Sequence, residues 1–331
     1  MTSKSWRLVG ARVAMALVAM LAAIVLAEGL FRIVYRRETR PELEFTRYSL
    51  LFKERGPVRE LPFQHRPHRS AELMGVTVRT NAEGLRGGAV SVEKSPGTFR
   101  IACVGDSLTF GWGVKEEDTY CAELARRLSA RPPGPSFTRA EGVNFGVGNY
   151  NTVMELEVLR RKVFAYRPDL VVVQYYINDA EPVPPFYSRP FLGHSYLAIL
   201  LWARVDLLFR HAGVRQDYVG YYRSLYAADR PGLGAFRAAI GAIARECRER
   251  RTPLVALLFP ELHRLDAGEP FQEVYATVAG WWRETGVPVV DLWPRFRGQE
   301  PSQFWVHPVD VHPNALAHAV AADGVEAVVR R

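Results

Sequence analysis

The stretch "RIACVGDSLTFGWGV", residues 100–114, decides how this chain is read. The run from Phe99 to Val104 is largely apolar, as a buried strand would be, and it ends abruptly in Gly105-Asp106-Ser107. A strand can stop at any turn. Stopping on a turn that carries a serine, with Gly111 and Gly113 close behind to loosen the backbone, is a more particular design.

Outward from this stretch the chain keeps a regular rhythm. Strand-like runs lie at Phe99–Val104, Gly142–Phe145, Leu170–Tyr176, Leu254–Phe259 and Val287–Asp291. Amphipathic, helix-like runs lie between or after them, at Thr119–Ala130, Thr152–Tyr166, Gly234–Arg250, Pro270–Thr285 and Asn314–Val329. Apolar strands alternating with such helices predict a parallel sheet covered on both faces. In an open sheet of this kind functional residues collect at the carboxyl ends of the strands. Ser107, Asn149, Asn178 with Asp179, Glu261 with His263, and Asp310 with His312 all fall at such ends, so polar groups from five places converge on one edge.

Composition bounds the rest. With 331 residues, 48% of them hydrophobic, the chain is globular with a full core. The net charge of +8 is unevenly spread: residues 1–70 hold 13 Lys/Arg against 6 Asp/Glu, and the remainder holds 30 against 29. A basic excess confined to the N-terminal part fits a membrane-adjacent segment better than a nucleic-acid-reading face, and no nucleic-acid partner is expected. Cys103, Cys121 and Cys247 are odd in number and far apart. They read as neither a disulfide framework nor a metal-ligand set, with Cys103 a small buried hydrophobe.

Val13–Ala27 carries no charge. With Arg12 and Glu28 at the interface it extends far enough to span a bilayer. An N-terminal membrane anchor over residues 1–35 is the preferred reading, and a signal peptide cleaved after Ala27 is the rival. Residues 36–74 are polar, Pro-containing and weakly periodic, and read as a juxtamembrane stalk; "GVTVRTNAEGLRG" (75–87) reads as a short β element. One segment breaks the rhythm. Residues 180–232 form an insertion after the third strand, and "SYLAILLWARVDLLF" (195–209) within it reads either as a helix packed on the domain or as a lid or membrane-facing element.

Four blocks, "VGDSLTFGWGV" (104–114), "NFGVGNYNT" (144–152), "VVVQYYINDAEP" (171–182) and "DVHPNALAH" (310–318), resemble the SGNH/GDSL hydrolase superfamily, in order and at the expected strand ends. The resemblance runs from about Gly75 to the end. The N-terminal span, "TNAEGLRG" and "LFPELHRL" (257–265) are further similar to a membrane-anchored bacterial branch whose members are often associated with export or decoration of polysaccharides.

The resemblance implies a three-layer α/β/α, flavodoxin-like domain over residues 75–331. It implies a serine esterase that needs no metal or cofactor and removes O-acetyl groups from an extracytoplasmic polysaccharide through an acyl-serine. An O-acyltransferase using the same site on a glycan acceptor, and a non-catalytic subunit of a polysaccharide assembly complex, are the alternatives. The partners expected are an acylated glycan or small ester, and the membrane through the N-terminal helix.

Residue by residue, Ser107 matches the nucleophile and His312 the base held by an acid. The Ser107 N–H, the Asn149 N–H and the Asn178 side chain match the oxyanion donors. The strand then ends where it does to present Ser107 at the sheet edge. Glu261 and His263 are possible substrate contacts; Asp106 reads as structural, and His194, His307 and His318 as bystanders.

The chain departs from the family pattern three times. Asn149 stands where the oxyanion glycine is usual, which a backbone donor survives because Asn tolerates left-handed backbone. Tyr176 stands where a glycine precedes the block-three Asn. The acid is Asp310, two before His312, where the common spacing is three. Asp310 is the expected orienting acid, with Asp291 or a backbone carbonyl as the fallback.

Overall fold

The computed structural model describes residues 3–37, 40–186, 193–211, 218–266 and 268–331. Helices α1 (Ser3–Arg37) and α2 (Pro41–Phe52) come first, then four short strands, β1 (Lys53–Val58), β2 (Leu61–His65), β3 (Ser70–Leu73) and β4 (Val76–Arg79). Strands β5 (Thr98–Val104), β6 (Arg139–Asn144), β7 (Leu170–Tyr175), β8 (Leu254–Leu258) and β9 (Val289–Asp291) pair in parallel to form the central sheet. Along the chain the segments between them carry α3 (Ser107–Phe110), α4 (Tyr120–Ala130), α5 (Thr152–Arg161), α6 (Tyr196–His211), α7 (Tyr218–Leu225), α8 (Pro231–Glu249) and α9 (Gln272–Glu284). A short α10 (Trp293–Phe296), the hairpin β10 (Trp305–His307) and β11 (Asp310–Pro313), and α11 (Ala315–Val329) complete the chain.

The sheet order is β6-β5-β7-β8-β9, the flavodoxin-like order of a doubly wound sheet. Strands β5, β7 and β8 are buried along their whole length, because helices cover both faces. Alternate residues serve opposite cores. Ala102, Val104, Val173 and Leu258 pack with Met154 of α5, Ile243 of α8 and Trp282 of α9. Ile101, Cys103, Val172 and Leu257 pack with Leu124 of α4 and Val325 of α11. Burial on both sides is why these strands read as unbroken apolar runs.

Two compact units divide the chain: Met1–Leu51 with Arg189–Val214, and Phe52–Ser188 with Arg215–Arg331. In the first, Val9–Val34 of α1 has a mean hydropathy of 2.4 and no buried residue, and is long and apolar enough to cross a membrane. Glu28, the one acidic residue of this stretch, accepts hydrogen bonds from Ser195 Oγ (2.8 Å), Tyr196 N (3.1 Å) and Leu197 N (3.0 Å). It thus caps α6 from outside that helix and satisfies N–H groups that a helix start leaves open. The insertion helix expected at 195–209 is α6; residues 187–192 and 212–217 of the expected insertion lie outside the described residues.

Two expectations need correction. Residues 36–74 do not form a stalk throughout. α2 covers 41–52, and β1 pairs antiparallel with β2, placing Leu61 and Phe63 in the main core at 0% and 3% exposure. Only alternate residues of so short a strand are buried, and neighbouring Pro, Glu and Arg mask them in the sequence. The cysteines are not all isolated either. Cys103 on β5 and Cys121 on α4 form a disulfide, with Cα atoms 6.0 Å apart. A helix packing on a strand brings them together, which spacing along the chain does not reveal. Cys247 is buried and free.

Candidate active site

Ser107 opens α3 directly beyond the carboxyl end of β5. Asp106, fully buried, accepts from Leu108 N at 2.8 Å and so caps this one-turn helix, the structural role expected of it. Gly111 ends the turn in left-handed backbone at φ 77°, with its N–H returned to Ser107 O. Gly105 is needed for a different reason. A Cβ there would meet Thr109 Oγ1 at 2.1 Å and Gln174 Oε1 at 2.5 Å, and Gln174 Oε1 is the acceptor for Asp106 N and Thr109 Oγ1. A strand from the sheet's centre therefore grips the serine turn from below. Burial pushes the Asp106 carboxyl up to about 6, against the pull of the Leu108 N–H, of His312 and of the Asn178 amide beside it.

His312 and Asp310 arrive on β11, some two hundred residues along the chain. His312 Nε2 lies 3.0 Å from Ser107 Oγ, and its Nδ1 lies 2.5 Å from Asp310 Oδ1. Asp310 Oδ1 also accepts the His312 backbone N–H at 3.1 Å. The spacing of two therefore closes a small ring in which the carboxylate bends back on its own strand. The second oxygen, Oδ2, accepts from the Trp112 indole N–H at 2.9 Å. Burial raises the Asp310 pKa, but the His312 ring, the His312 N–H and Trp112 outweigh it, so the carboxyl is held below its ordinary value. An acid so held stays ionised and fixes the imidazole with Nε2 toward the serine.

Asn149 sits in the loop after β6 with φ 67°, the left-handed backbone that a glycine would take. Val147 N donates to Gly105 O at 3.2 Å, which ties this loop to the serine turn. Among the described residues the N–H groups of Ser107 and Asn149 have no acceptor, and Asn178 Oδ1 has no hydrogen-bond partner. Asn178 lies in the short helical turn after β7, the strand paired with β5. The site thus sits at the point where the strand order reverses.

Glu261 and His263 follow β8. Glu261 is buried at 1% exposure; its Oε1 contacts His263 Nδ1 and its Oε2 accepts the His263 backbone N–H at 2.9 Å. The His263 ring stands 5.3 Å from the Tyr218 ring and 6.1 Å from that of Trp305, which bonds Leu262 O through its indole N–H. The carboxylate of Glu261 raises the His263 pKa. Two other histidines are engaged elsewhere. His307 Nδ1 accepts from Val309 N within its own hairpin, and His318 is fully buried, accepts from Tyr120 N and is pushed down to about 3. Asp291 caps α10 through Trp293 N.

Three residues at the site escape a reading of the sequence. Trp112 anchors the Asp310 carboxylate. Arg86, 4% exposed, donates to Phe110 O and Gly111 O at 2.6 Å and to Val114 O at 2.5 Å, and so holds the loop behind Ser107. Lys53, 3% exposed, donates to Gly148 O at 2.6 Å and to Asn149 Oδ1 at 2.8 Å. The sequence carries no signal for the burial of the last two, Arg86 in the 75–87 element and Lys53 in the polar 36–74 segment, because it arises from packing between distant segments. Among the described residues no group of three or more His, Cys, Asp or Glu is arranged to hold a metal ion.

A family model described as the GDSL-like lipase/acylhydrolase family matches residues 103–320. No curated protein matches the sequence. Solved structures similar to this chain include an alpha/beta hydrolase enzyme from the metagenome of Lake Arreo, Spain, with 19% identity and a TM-score of 0.46, over 70% of this chain and 94% of that one. Another is an acetylxylan esterase from Geobacillus stearothermophilus, with 16% identity and a TM-score of 0.46, over 72% of this chain and 96% of that one.

Proposed function

The chain belongs to the GDSL-like lipase/acylhydrolase family, and from that premise we propose that it hydrolyses carboxylic esters through an acyl-Ser107 intermediate. The observation that carries this reading is the continuous line Ser107 Oγ, His312 Nε2, His312 Nδ1, Asp310, with contacts of 3.0 and 2.5 Å. In it, His312 takes the Ser107 proton as Oγ attacks the ester carbonyl. The charge that develops on the carbonyl oxygen is met by the N–H groups of Ser107 and Asn149 and by the Asn178 amide. Collapse expels the alcohol, which leaves with the proton from His312. A water then gives its proton to His312 and attacks the acyl carbon. Ser107 regains a proton and the carboxylic acid departs.

The substrate is an O-acetyl group on an extracytoplasmic polysaccharide. This extends the similarity of the N-terminal span and of the 257–265 loop to a membrane-anchored branch of the superfamily. Two features support the compartment. Val9–Val34 has the length and hydropathy of a membrane anchor, and the disulfide Cys103–Cys121 belongs in an oxidising environment. Exposed Tyr218 and His263 beside Trp305 offer an aromatic, hydrogen-bonding rim suited to a glycan.

The test is acetate release by the full-length protein from small acetyl esters and from O-acetylated polysaccharides. The reading expects release from both, and none from Ser107→Ala. Release from small esters alone would leave the esterase and remove the polysaccharide; release by Ser107→Ala would remove the nucleophile.

A further inference from the structure

The geometry points to Lys53 as a positioning residue of the oxyanion hole, one that fixes and polarises the peptide group between Gly148 and Asn149. This rests on the reading of the Asn149 N–H as an oxyanion donor.

Lys53 begins β1, in the segment whose sequence reads as a stalk, yet it is buried beneath the strand-end loop. Its ammonium donates to Gly148 O at 2.6 Å and to Asn149 Oδ1 at 2.8 Å, and stands 4.4 Å from the centre of the Phe63 ring. The Gly148 carbonyl and the Asn149 N–H are two ends of one peptide group. A cation on the carbonyl oxygen draws electron density toward it and leaves the N–H more positive, hence a stronger donor to a developing negative charge. Hydrogen bonds strengthen one another through such polarisation, most of all where water is excluded. The bond to Asn149 Oδ1 adds a second effect. It ties down the side chain of a residue held at φ 67°, a conformation a non-glycine residue adopts reluctantly. Where the oxyanion loop carries Asn instead of Gly, that tie keeps the N–H aimed.

A buried ammonium is an expensive way to fill space, since an apolar side chain of similar volume carries no desolvation cost. Burial pushes Lys53 down to about 7. His65, its register partner on β2, is pushed down to about 3 by burial and by the charge of Lys53 itself. Arg86 and Lys162 bear on His65 as further cations. Glu83 and Glu54 bear on Lys162, and Glu54 also accepts from Gln64. Arg66 donates to the Lys53 carbonyl.

The experiment compares full-length wild type with Lys53→Met and Lys53→Gln on p-nitrophenyl acetate across a pH series, with melting curves for each. Lys53→Met should lower kcat by roughly tenfold to a hundredfold with KM within about twofold, because only transition-state binding is touched. Its melting curve should still show a folded protein at the assay temperature, although Gly148 O and Asn149 Oδ1 lose the ammonium as donor. Lys53→Gln, a donor without charge, should be nearly as slow. The ratio of wild-type to Met kcat should shrink as pH rises through the titration of Lys53, because the wild type then loses the charge the variant lacks. A ratio that stays flat with pH, a kcat loss under about twofold, or full activity in Lys53→Gln overturns the assignment. If Lys53→Met does not fold, Lys53→Gln decides alone, through its kcat and through a wild-type to Gln ratio that should shrink in the same way as pH rises. Absence of turnover in the wild type is a different result, and would remove the esterase reading itself.

Discussion

Two segments of this molecule carry an acid, one residue and a histidine: Asp310-Val311-His312 and Glu261-Leu262-His263. Their local geometry is nearly the same. In each, the carboxylate accepts the backbone N–H two residues on and holds Nδ1 of that residue's ring. They differ in what surrounds them. His312 Nε2 meets Ser107 Oγ at 3.0 Å, across 205 residues of chain, and its side chain is 25% exposed. The His263 side chain is 48% exposed and stands between Tyr218 and Trp305. The remaining acceptor of Asp310 is used by the Trp112 indole at 2.9 Å, whereas Tyr218 OH approaches Glu261 only at 3.5 Å. An acid–histidine pair is thus a product of local backbone that this chain makes twice. What sets one pair apart is the convergence on it, from distant strand ends, of the Ser107 hydroxyl and of two N–H groups that have no acceptor among the described residues.

The widest separation between the pairs should come from truncating the histidines. His312→Ala should lower kcat on a small ester by about 10⁴–10⁶, the loss expected when the base of a serine hydrolase is removed. His263→Ala should leave the same kcat within about threefold. Comparable losses in both would mean that His263 takes part in the chemistry. A smaller gap should follow from the acids. Asp310→Asn should cost about 10²–10⁴ in kcat, because the amide favours the wrong tautomer of His312. Glu261→Gln should leave kcat nearly unchanged and act on His263 alone, lowering its pKa toward the ordinary value in an NMR titration. A histidine whose pKa is raised on folding adds stability below its unfolded pKa and loses it as pH rises through the folded one. Glu261→Gln should therefore lower the melting temperature more in mildly acidic than in alkaline buffer.

Much of this was open to a reader of the sequence, for physical reasons. Strands buried on both faces must be apolar along their length, so β5, β7 and β8 announce themselves and their carboxyl ends locate Ser107, Asn178 and Glu261. Asp310 was harder. Two residues apart on an extended segment, a carboxylate should pass the imidazole, and the contact exists because Asp310 turns back onto the His312 N–H. What stayed hidden depends on packing between distant segments. Nothing adjacent to Trp112 marks it as the anchor of an acid on β11. Lys53, in the basic N-terminal stretch, and Arg86, in the 75–87 element, look like ordinary surface cations, yet they bury themselves beside Asn149 and on the loop behind Ser107. The pairing of Cys103 with Cys121 likewise follows from α4 lying on the sheet.

The central claim is that Ser107, and no other residue, carries the acyl group. The most direct measurement is peptide mass spectrometry of the full-length protein, quenched in acid during turnover of an acetyl ester, alongside Asp310→Asn to slow deacylation. The account predicts one added acetyl group on the peptide containing Ser107, more abundant in Asp310→Asn. An acetyl group on any other residue during turnover, or turnover in both proteins with Ser107 never modified, would contradict it.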